Sequence, residues 1–347
     1  MTARLAHPPI RPEWLTLGRE EVIDPDHPII DAHHHLFDRP GNRYLAADYA
    51  TDLASGHNII ASVLVQARGF YRASGPEPLY PVGETDHAAQ VAQQAERDGG
   101  PAMCAAIVGY ADLMLGDAVR PVLEAHVVAG QGRFRGVRHI LAWDRDTGLV
   151  NPAYPTTEDM MDSPAFAAGL AELERLGLSF DAWLHFHQIP RLTALARRFP
   201  RLPMVLNHCG GVLGARAYDR DQTFDPWRRA ITDLAACPNV MVKVGGLGMA
   251  LSNFGFDRGD RPPSSQRLAA TWGKWVDACI TTFGPTRVMF ESNFPVDKAS
   301  TSFRTLWNAF KRLTAEYGAE DRHAMLCGTA ARFYRIPPRI PARTNGA

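Results

Sequence analysis

The sequence predicts an α/β fold of a single domain, a closed (β/α)₈ barrel. Two observations carry that expectation. Short, near-continuous apolar runs alternate with amphipathic stretches of helical period from residue 29 onward. The joints are also asymmetric: those from helix to strand are short, while several from strand to helix are long. Alternating units with right-handed crossovers leave few topologies, and a doubly wound open sheet is the runner-up.

In chain order the strands are expected at Ile29–Leu36, Ile59–Ala67, Ala102–Ala111, Phe134–Leu141, Ser179–Phe186, Pro203–Cys209, Val240–Gly246 and Arg287–Asn293. Each reads as a run covered on both faces, as parallel strands require. Helical patterns lie between them at Glu84–Arg97, Asp117–Ala129, Ser163–Leu176, Ile189–Phe199, Pro226–Ala236 and Gln266–Phe283; the first crossover, near Asp48–Ser55, is the poorest. Gly56-His57-Asn58 and Gly284-Pro285-Thr286 are typical of the short joints. By contrast, Arg68–Gly83, Ala142–Asp162 and Leu247–Ser265 each run to roughly fifteen to twenty residues, a length that is usually functional. All three belong to the C-terminal face, where barrel active sites lie. The barrel is expected over residues 29–336, after a peripheral lead of residues 1–28 and before a flexible tail of residues 337–347.

The 347 residues are 46% apolar and 21% charged, the composition of an ordinary globular protein. Lysine plus arginine and aspartate plus glutamate both number 37, so no net field favours nucleic acid or an anionic membrane as partner. A small-molecule substrate is the expected partner, and self-association into a homo-oligomer stays open. Five cysteines without a CxxC pair fit a reducing, cytoplasmic setting. The strongly apolar run Ile59–Val65 is far too short to span a bilayer, and no leader pattern is visible.

Of thirteen histidines, His33, His34, His35, His139, His185, His187 and His208 fall in or at the ends of expected strands. Period-two alternation places Asp31, His33 and His35 on one face and His34 on the other. An H-x-H pair at a strand end can aim two imidazoles at one point, and a catalytic zinc-type site needs about three protein ligands. The same parity puts His185 and His187 on one face of the fifth strand, with His187 nearer its end and the expected third ligand. His139 and His185 read better as hydrogen-bonded core residues, and His57, His87, His126 and His323 as surface residues.

These residues carry a resemblance. Ile30-Asp31-Ala32-His33-His34-His35-Leu36 is similar to the first-strand signature of the amidohydrolase-related metal-dependent hydrolases of TIM-barrel fold. Val63-Leu64-Val65-Gln66-Ala67, Phe134-Arg135-Gly136-Val137-Arg138, Phe186-His187-Gln188-Ile189-Pro190, Asn207-His208-Cys209-Gly210-Gly211 and Val288-Met289-Phe290-Glu291-Ser292-Asn293-Phe294-Pro295 follow collinearly. They resemble the branch containing sugar-acid, sulfomuconolactone and 2-pyrone-4,6-dicarboxylate lactonases. The resemblance implies opening of a small, carboxylated cyclic ester by an activated water. His33, His35 and His187 would surround the carbonyl as metal ligands, with His208 beside it, Arg138 gripping an anionic group and Gln66 near the substrate. A divalent ion, zinc or manganese, is expected and no organic cofactor; without metal, the histidines and Arg138 would stabilise the oxyanion as donors.

One departure matters. The family usually ends strand eight in Gly-Ser-Asp-Trp-Pro, whereas this chain has Asn293, an amide that cannot act as general base but stays a candidate neutral ligand or substrate hydrogen-bond partner. Glu291, two residues earlier, restores a carboxylate one layer deeper; Asp297, just beyond the strand, or a histidine are the other candidates for base. The competing reading of Glu291 is a buried pair with Lys243. The long loops add Arg68, Tyr71, Arg72 and Tyr80, then Trp143, Arg145 and Tyr154, suited to a flat anionic substrate. Gly245-Gly246 reads as space for the backbone near the site, and Cys209 as a packed residue rather than a nucleophile. A non-oxidative decarboxylase on the same barrel and a binding protein without turnover are the rival functions.

Overall fold

The computed structural model describes residues 8–39 and 42–337. Of the expected lead and tail, residues 1–7 and 338–347 lie outside the described residues. Eight parallel strands form one sheet in chain order: β1 (Ile29–His34), β2 (Ile59–Val65), β3 (Ala102–Gly109), β4 (Phe134–Ile140), β5 (Ser179–Trp183), β6 (Met204–Leu206), β7 (Val240–Val244) and β8 (Val288–Phe290). A helix follows each: α1 (Ala46–Leu53), α2 (Val82–Arg97), α3 (Arg120–Ala129), α4 (Pro164–Arg175), α5 (Ile189–Arg198), α6 (Arg220–Ala235), α7 (Ser265–Phe283) and α8 (Phe303–Leu313). This is the expected (β/α)₈ TIM barrel. The sheet returns on itself through Asn293 N–H donating to His33 O and His35 N–H donating to Phe294 O, both at 2.8 Å. Closing the barrel therefore places the H-x-H segment against Asn293.

Local chemistry explains the elements. The residues of β8 are all fully buried, as a strand between barrel interior and helices must be. Asp219 caps α6 by accepting from the Asp221 and Gln222 amides, and Ser264 caps α7 by accepting from Arg267 N. Ser163 and Pro164 start α4, with Pro164 in a position where its missing N–H costs nothing. Trp227 of α6 and Trp275 of α7 meet edge to face at 4.6 Å, and Trp307 is likewise buried. The lead packs onto the barrel: Trp14 Nε1 donates to Gly259 O at 2.8 Å, and Glu20 Oε1 accepts from the first amide of α7.

The structure corrects several expectations. Strand β5 stops at Trp183, three residues short of its expected end, and the chain turns into a 3₁₀ turn at Phe186–Gln188. Alternation therefore cannot relate His187 to the strand. The pairing of β1 with β2 slips between Asp31 and His34. Asp31 consequently goes outward with His34 instead of sharing a face with His33: its Oδ2 accepts from Tyr49 Oη at 2.8 Å, while His34 stacks on the Tyr49 ring. Two expected surface histidines are buried. His126 bonds Thr85 Oγ1 and Tyr110 O, and His57 faces Lys311 Nζ at 3.0 Å. Finally, Lys243 does not pair with Glu291; its Nζ lies 2.8 Å from Asp181 Oδ2, which also accepts from Tyr334 Oη and Asn207 Nδ2.

Candidate active site

A cavity of about 840 Å³ opens at the carboxyl ends of the strands. His35, Arg138, Trp183, His208 and Asn293 line it, Tyr154 and Met249 wall it, and Arg39, Arg43 and Arg68 also face it. Among the described residues no carboxylate lines it, so its interior favours an anion.

At its base, hydrogen-bond partners assign the proton of each imidazole. His35 Nδ1 lies 2.7 Å from Val65 O; a carbonyl only accepts, so Nδ1 carries the proton and Nε2 a lone pair. His33 Nδ1 faces Glu291 Oε2 at 2.8 Å, and Arg138 Nη1 donates to His33 Nε2 from the other side at 3.2 Å. The guanidinium has no acceptor to offer, so His33 too keeps its lone pair on Nε2. The two Nε2 atoms are 3.2 Å apart, and the cation that faces this pair of lone pairs is the Arg138 guanidinium, through its contact with His33 Nε2. Burial holds both imidazoles well below their ordinary pKa, with Lys243 reinforcing this at His33 and Arg138 at His35.

Glu291 serves two histidines at once. Its Oε1 accepts from the His208 amide at 3.0 Å and faces His208 Nδ1 at 2.6 Å. With Glu291 ionised, His208 Nδ1 carries a proton, which leaves Nε2 as the basic nitrogen of a side chain that lines the cavity. Burial pushes Glu291 up to about 8, opposed by Lys243 and the His208 amide. The backbone here is shaped for these contacts. A Cβ on Gly245 would meet Glu291 Cγ at 2.4 Å, and one on Gly246 would meet His208 Cβ at 2.6 Å.

Asn293, at φ 53°, lines the cavity. Its Nδ2 donates to Asp297 Oδ1 at 2.9 Å, so its amide oxygen is the free end. Asp297 also accepts from Gly248 N, is buried, and is pushed up to about 7 by that burial. Arg138 donates to Gln66 O, while Gln66 Oε1 accepts from Tyr154 Oη at 3.2 Å. Arg68 bonds Ala153 O and lies over the Tyr154 ring, joining the loops after β2 and β4.

The structure thus brings together His33, His35, Gln66, Arg138, His208, Glu291, Asn293 and Asp297 from the residues expected at the site. Glu291 and Asp297 stand behind other side chains rather than on the cavity wall. Tyr71 is not on that wall either; it lies under the Arg68 guanidinium. His187 is not brought to His33 and His35: its Nε2 faces Asp144 Oδ2 at 3.1 Å, because the chain has already left β5. Sequence reasoning missed Arg39 and Arg43, which lie on an antiparallel pair of short strands, Phe37–Arg39 with Asn42–Tyr44; the Pro-Gly dipeptide between them in the sequence is a turn signal that could have flagged it. It also missed Pro8–Ile10 of the lead, which face the cavity.

The loop after β2 rests on Glu84 of α2, whose Oε1 accepts from Ala67 N at 2.7 Å and Gly69 N at 3.1 Å. Burial pushes this carboxyl up to about 7, with those two amides opposing. The native state therefore holds the proton more tightly than the unfolded chain, and the stability it contributes at pH 4.5 is lost as pH rises to about 7. At 1.36 kcal/mol per pKa unit the loss is on the order of 3 kcal/mol. Glu84→Gln keeps the acceptor without the charge. Urea unfolding at pH 5 and pH 8 should show the variant losing less stability than the parent across that interval; parallel losses would mean that Glu84 is ionised throughout.

Comparison with known proteins gives one consistent group. A family model described as amidohydrolase matches residues 30–336. An uncharacterised protein of Sinorhizobium fredii is 32% identical over 330 residues, covering 89% of this chain and 98% of its own. An L-fucono-1,5-lactonase of Burkholderia multivorans is 30% identical over 329 residues, covering 90% and 98%. Among solved structures, an amidohydrolase from Burkholderia multivorans with bound zinc superposes with a TM-score of 0.67 at 26% identity, covering 89% of this chain and 99% of that one.

Proposed function

We propose, from the premise that the chain belongs to the amidohydrolase family, that it is a hydrolase opening a small, anionic lactone. The observation that carries this reading is the convergence of the His33 and His35 Nε2 lone pairs beside Arg138, at the base of an arginine-lined cavity. The lactonase relative supports ring opening as the reaction.

The residues divide the work as follows. Arg138 and the outer arginines draw in an anionic substrate and orient it, with Tyr154 and Trp183 bounding the flat ring. His208, with its Nδ1–H held by Glu291, accepts a proton from water at Nε2 as that water attacks the carbonyl carbon. The Arg138 guanidinium stabilises the negative charge that develops on the carbonyl oxygen. Protonated His208 then returns its proton to the ring oxygen as the ester bond breaks, leaving a hydroxy acid. The free amide oxygen of Asn293 accepts from a hydroxyl of the substrate or from the attacking water.

The chain also fits a divalent ion. His33 and His35 offer facing, neutral imidazole nitrogens in a buried site, and His208 with Glu291 forms a ligand-type group with His33. When bound, such an ion supplies a Lewis acid at the carbonyl. The zinc-bound relative supports zinc there. Five buried free cysteines support a reducing, cytoplasmic setting, and among the described residues no helix is long and apolar enough to cross a membrane.

The test is metal analysis of protein purified without tag or chelator, with turnover of stripped and zinc- or manganese-loaded forms on carboxylated lactones. Ring opening with proton release is expected, enhanced by metal. Carbon dioxide release instead would move the protein to decarboxylation, and binding without turnover in any form would remove the hydrolase reading.

A further inference from the structure

The ends of β4 and β5 carry a second group of ligand-type side chains, which the reaction above does not use. Asp144 follows β4, His185 and His187 follow β5, and one ligand atom from each lies within 4.8 Å of the others. Gln188 gathers them. Its Oε1 accepts from Trp143 N at 3.1 Å and His185 N at 3.2 Å, while its Nε2 donates to Leu141 O at 2.8 Å, stitching the two strand ends together.

Asp144 is held ready. Its Oδ1 accepts from Asp146 N at 2.8 Å; its Oδ2 accepts from Tyr218 Oη at 2.6 Å and faces His187 Nε2. The Tyr218 ring lies parallel to the His187 imidazole, 6.2 Å away. His185 is 1% exposed, yet its Nδ1 has no hydrogen-bond partner. A buried polar atom left unmatched costs free energy and marks a missing partner. The His187 side chain, 30% exposed, leaves the group open to solvent.

Two imidazoles and one carboxylate are the donor set of a borderline divalent cation, and three protein ligands leave a fourth position for water. We propose that Asp144, His185 and His187 form a second divalent-cation site at the rim of the barrel, separate from the His33–His35 pair. The ion clasps the loop of residues 142–162 to the turn after β5. His185 also lines a side cavity of about 100 Å³ with Leu149, Tyr154 and Trp183, so the clasp bears on a wall shared with the main cavity. This inference stands apart from the hydrolase reading.

The full chain, stripped by chelator, is titrated with cobalt(II) and followed by visible absorption and by bound metal after gel filtration. Parent, His187→Ala and Asp144→Asn are compared. His187→Ala should bind one ion fewer per chain, and Asp144→Asn should bind its last ion at least tenfold more weakly. Added zinc should raise the melting temperature of the parent more than that of His187→Ala. Equal stoichiometry and spectra in parent and His187→Ala overturn the proposal. His187 is exposed, so unfolding of the stripped proteins checks that the fold is retained. A parallel His35→Ala titration separates this site from the cavity: the difference made by His187→Ala should persist in that background.

Discussion

Glu291→Gln is expected to lower kcat/KM by at least 100-fold while leaving the melting temperature within a few degrees. The carboxylate accepts from His208 at Oε1, and its Oε2 lies 2.8 Å from His33 Nδ1. An amide of the same size accepts at one end only. With its oxygen kept toward His208 N and Nδ1, its NH₂ group faces His33 Nδ1 and drives the His33 proton onto Nε2. That proton then points at the Arg138 guanidinium and occupies the lone pair that faces His35. Fixing the wrong tautomer removes catalysis without changing shape, and partners behind ligand histidines are commonly worth 10–100-fold in activity or metal affinity.

Asp297→Asn is the comparison. Asp297 supports Asn293 Nδ2 and Gly248 N but touches neither His33 nor His208 by a hydrogen bond, so about a tenfold loss is expected. Equal losses in the two variants, or a larger one in Asp297→Asn, would reject Glu291 as the group that orients the two histidines. The pH profile adds a second readout: the rising limb of kcat/KM should report deprotonation of the His208–Glu291 unit and should be displaced in Glu291→Gln.

The barrel was legible because its signal is local. Each strand is a continuous apolar run, and loop asymmetry marks the two faces before any contact is known. His33 and His35 were legible for the same reason, since alternation over two residues survives the slip in β1 register that reversed Asp31. His187 was not: parity holds only while the chain is a strand, and β5 ends at Trp183. Partner choice was hidden as well. Alternation can turn both Glu291 and Lys243 inward, but it cannot say that the lysine reaches Asp181 while the glutamate reaches His33 and His208. Asp144 carried no motif at all. It meets the histidines only because Gln188 joins the ends of two strands.

Lys243→Met is expected to destabilise the fold by about 3–5 kcal/mol, the usual consequence of removing one member of a buried ion pair. Both side chains of the Lys243–Asp181 pair are fully buried, so the loss leaves the Asp181 carboxylate without its charged partner. Its remaining partners, Tyr334 Oη at 2.8 Å and Asn207 Nδ2 at 3.2 Å, are neutral and cannot replace the charge. The loss is a large share of a typical 5–15 kcal/mol. Pairing the change with Asp181→Asn should recover half or more of it, because the amide oxygen still accepts from Tyr334 and no charge is stranded. Guanidinium unfolding of the three proteins decides this: a double variant as unstable as Lys243→Met would place the cost in lost lysine packing rather than in the stranded carboxylate. The pair also reaches the site. Lys243 opposes the burial that raises Glu291 and Asp181 adds to it, so the folded part of Lys243→Met should open lactone with its rising pH limb moved upward and the double variant should show a smaller displacement, whereas a purely structural pair would change the amount of folded enzyme and leave that limb in place.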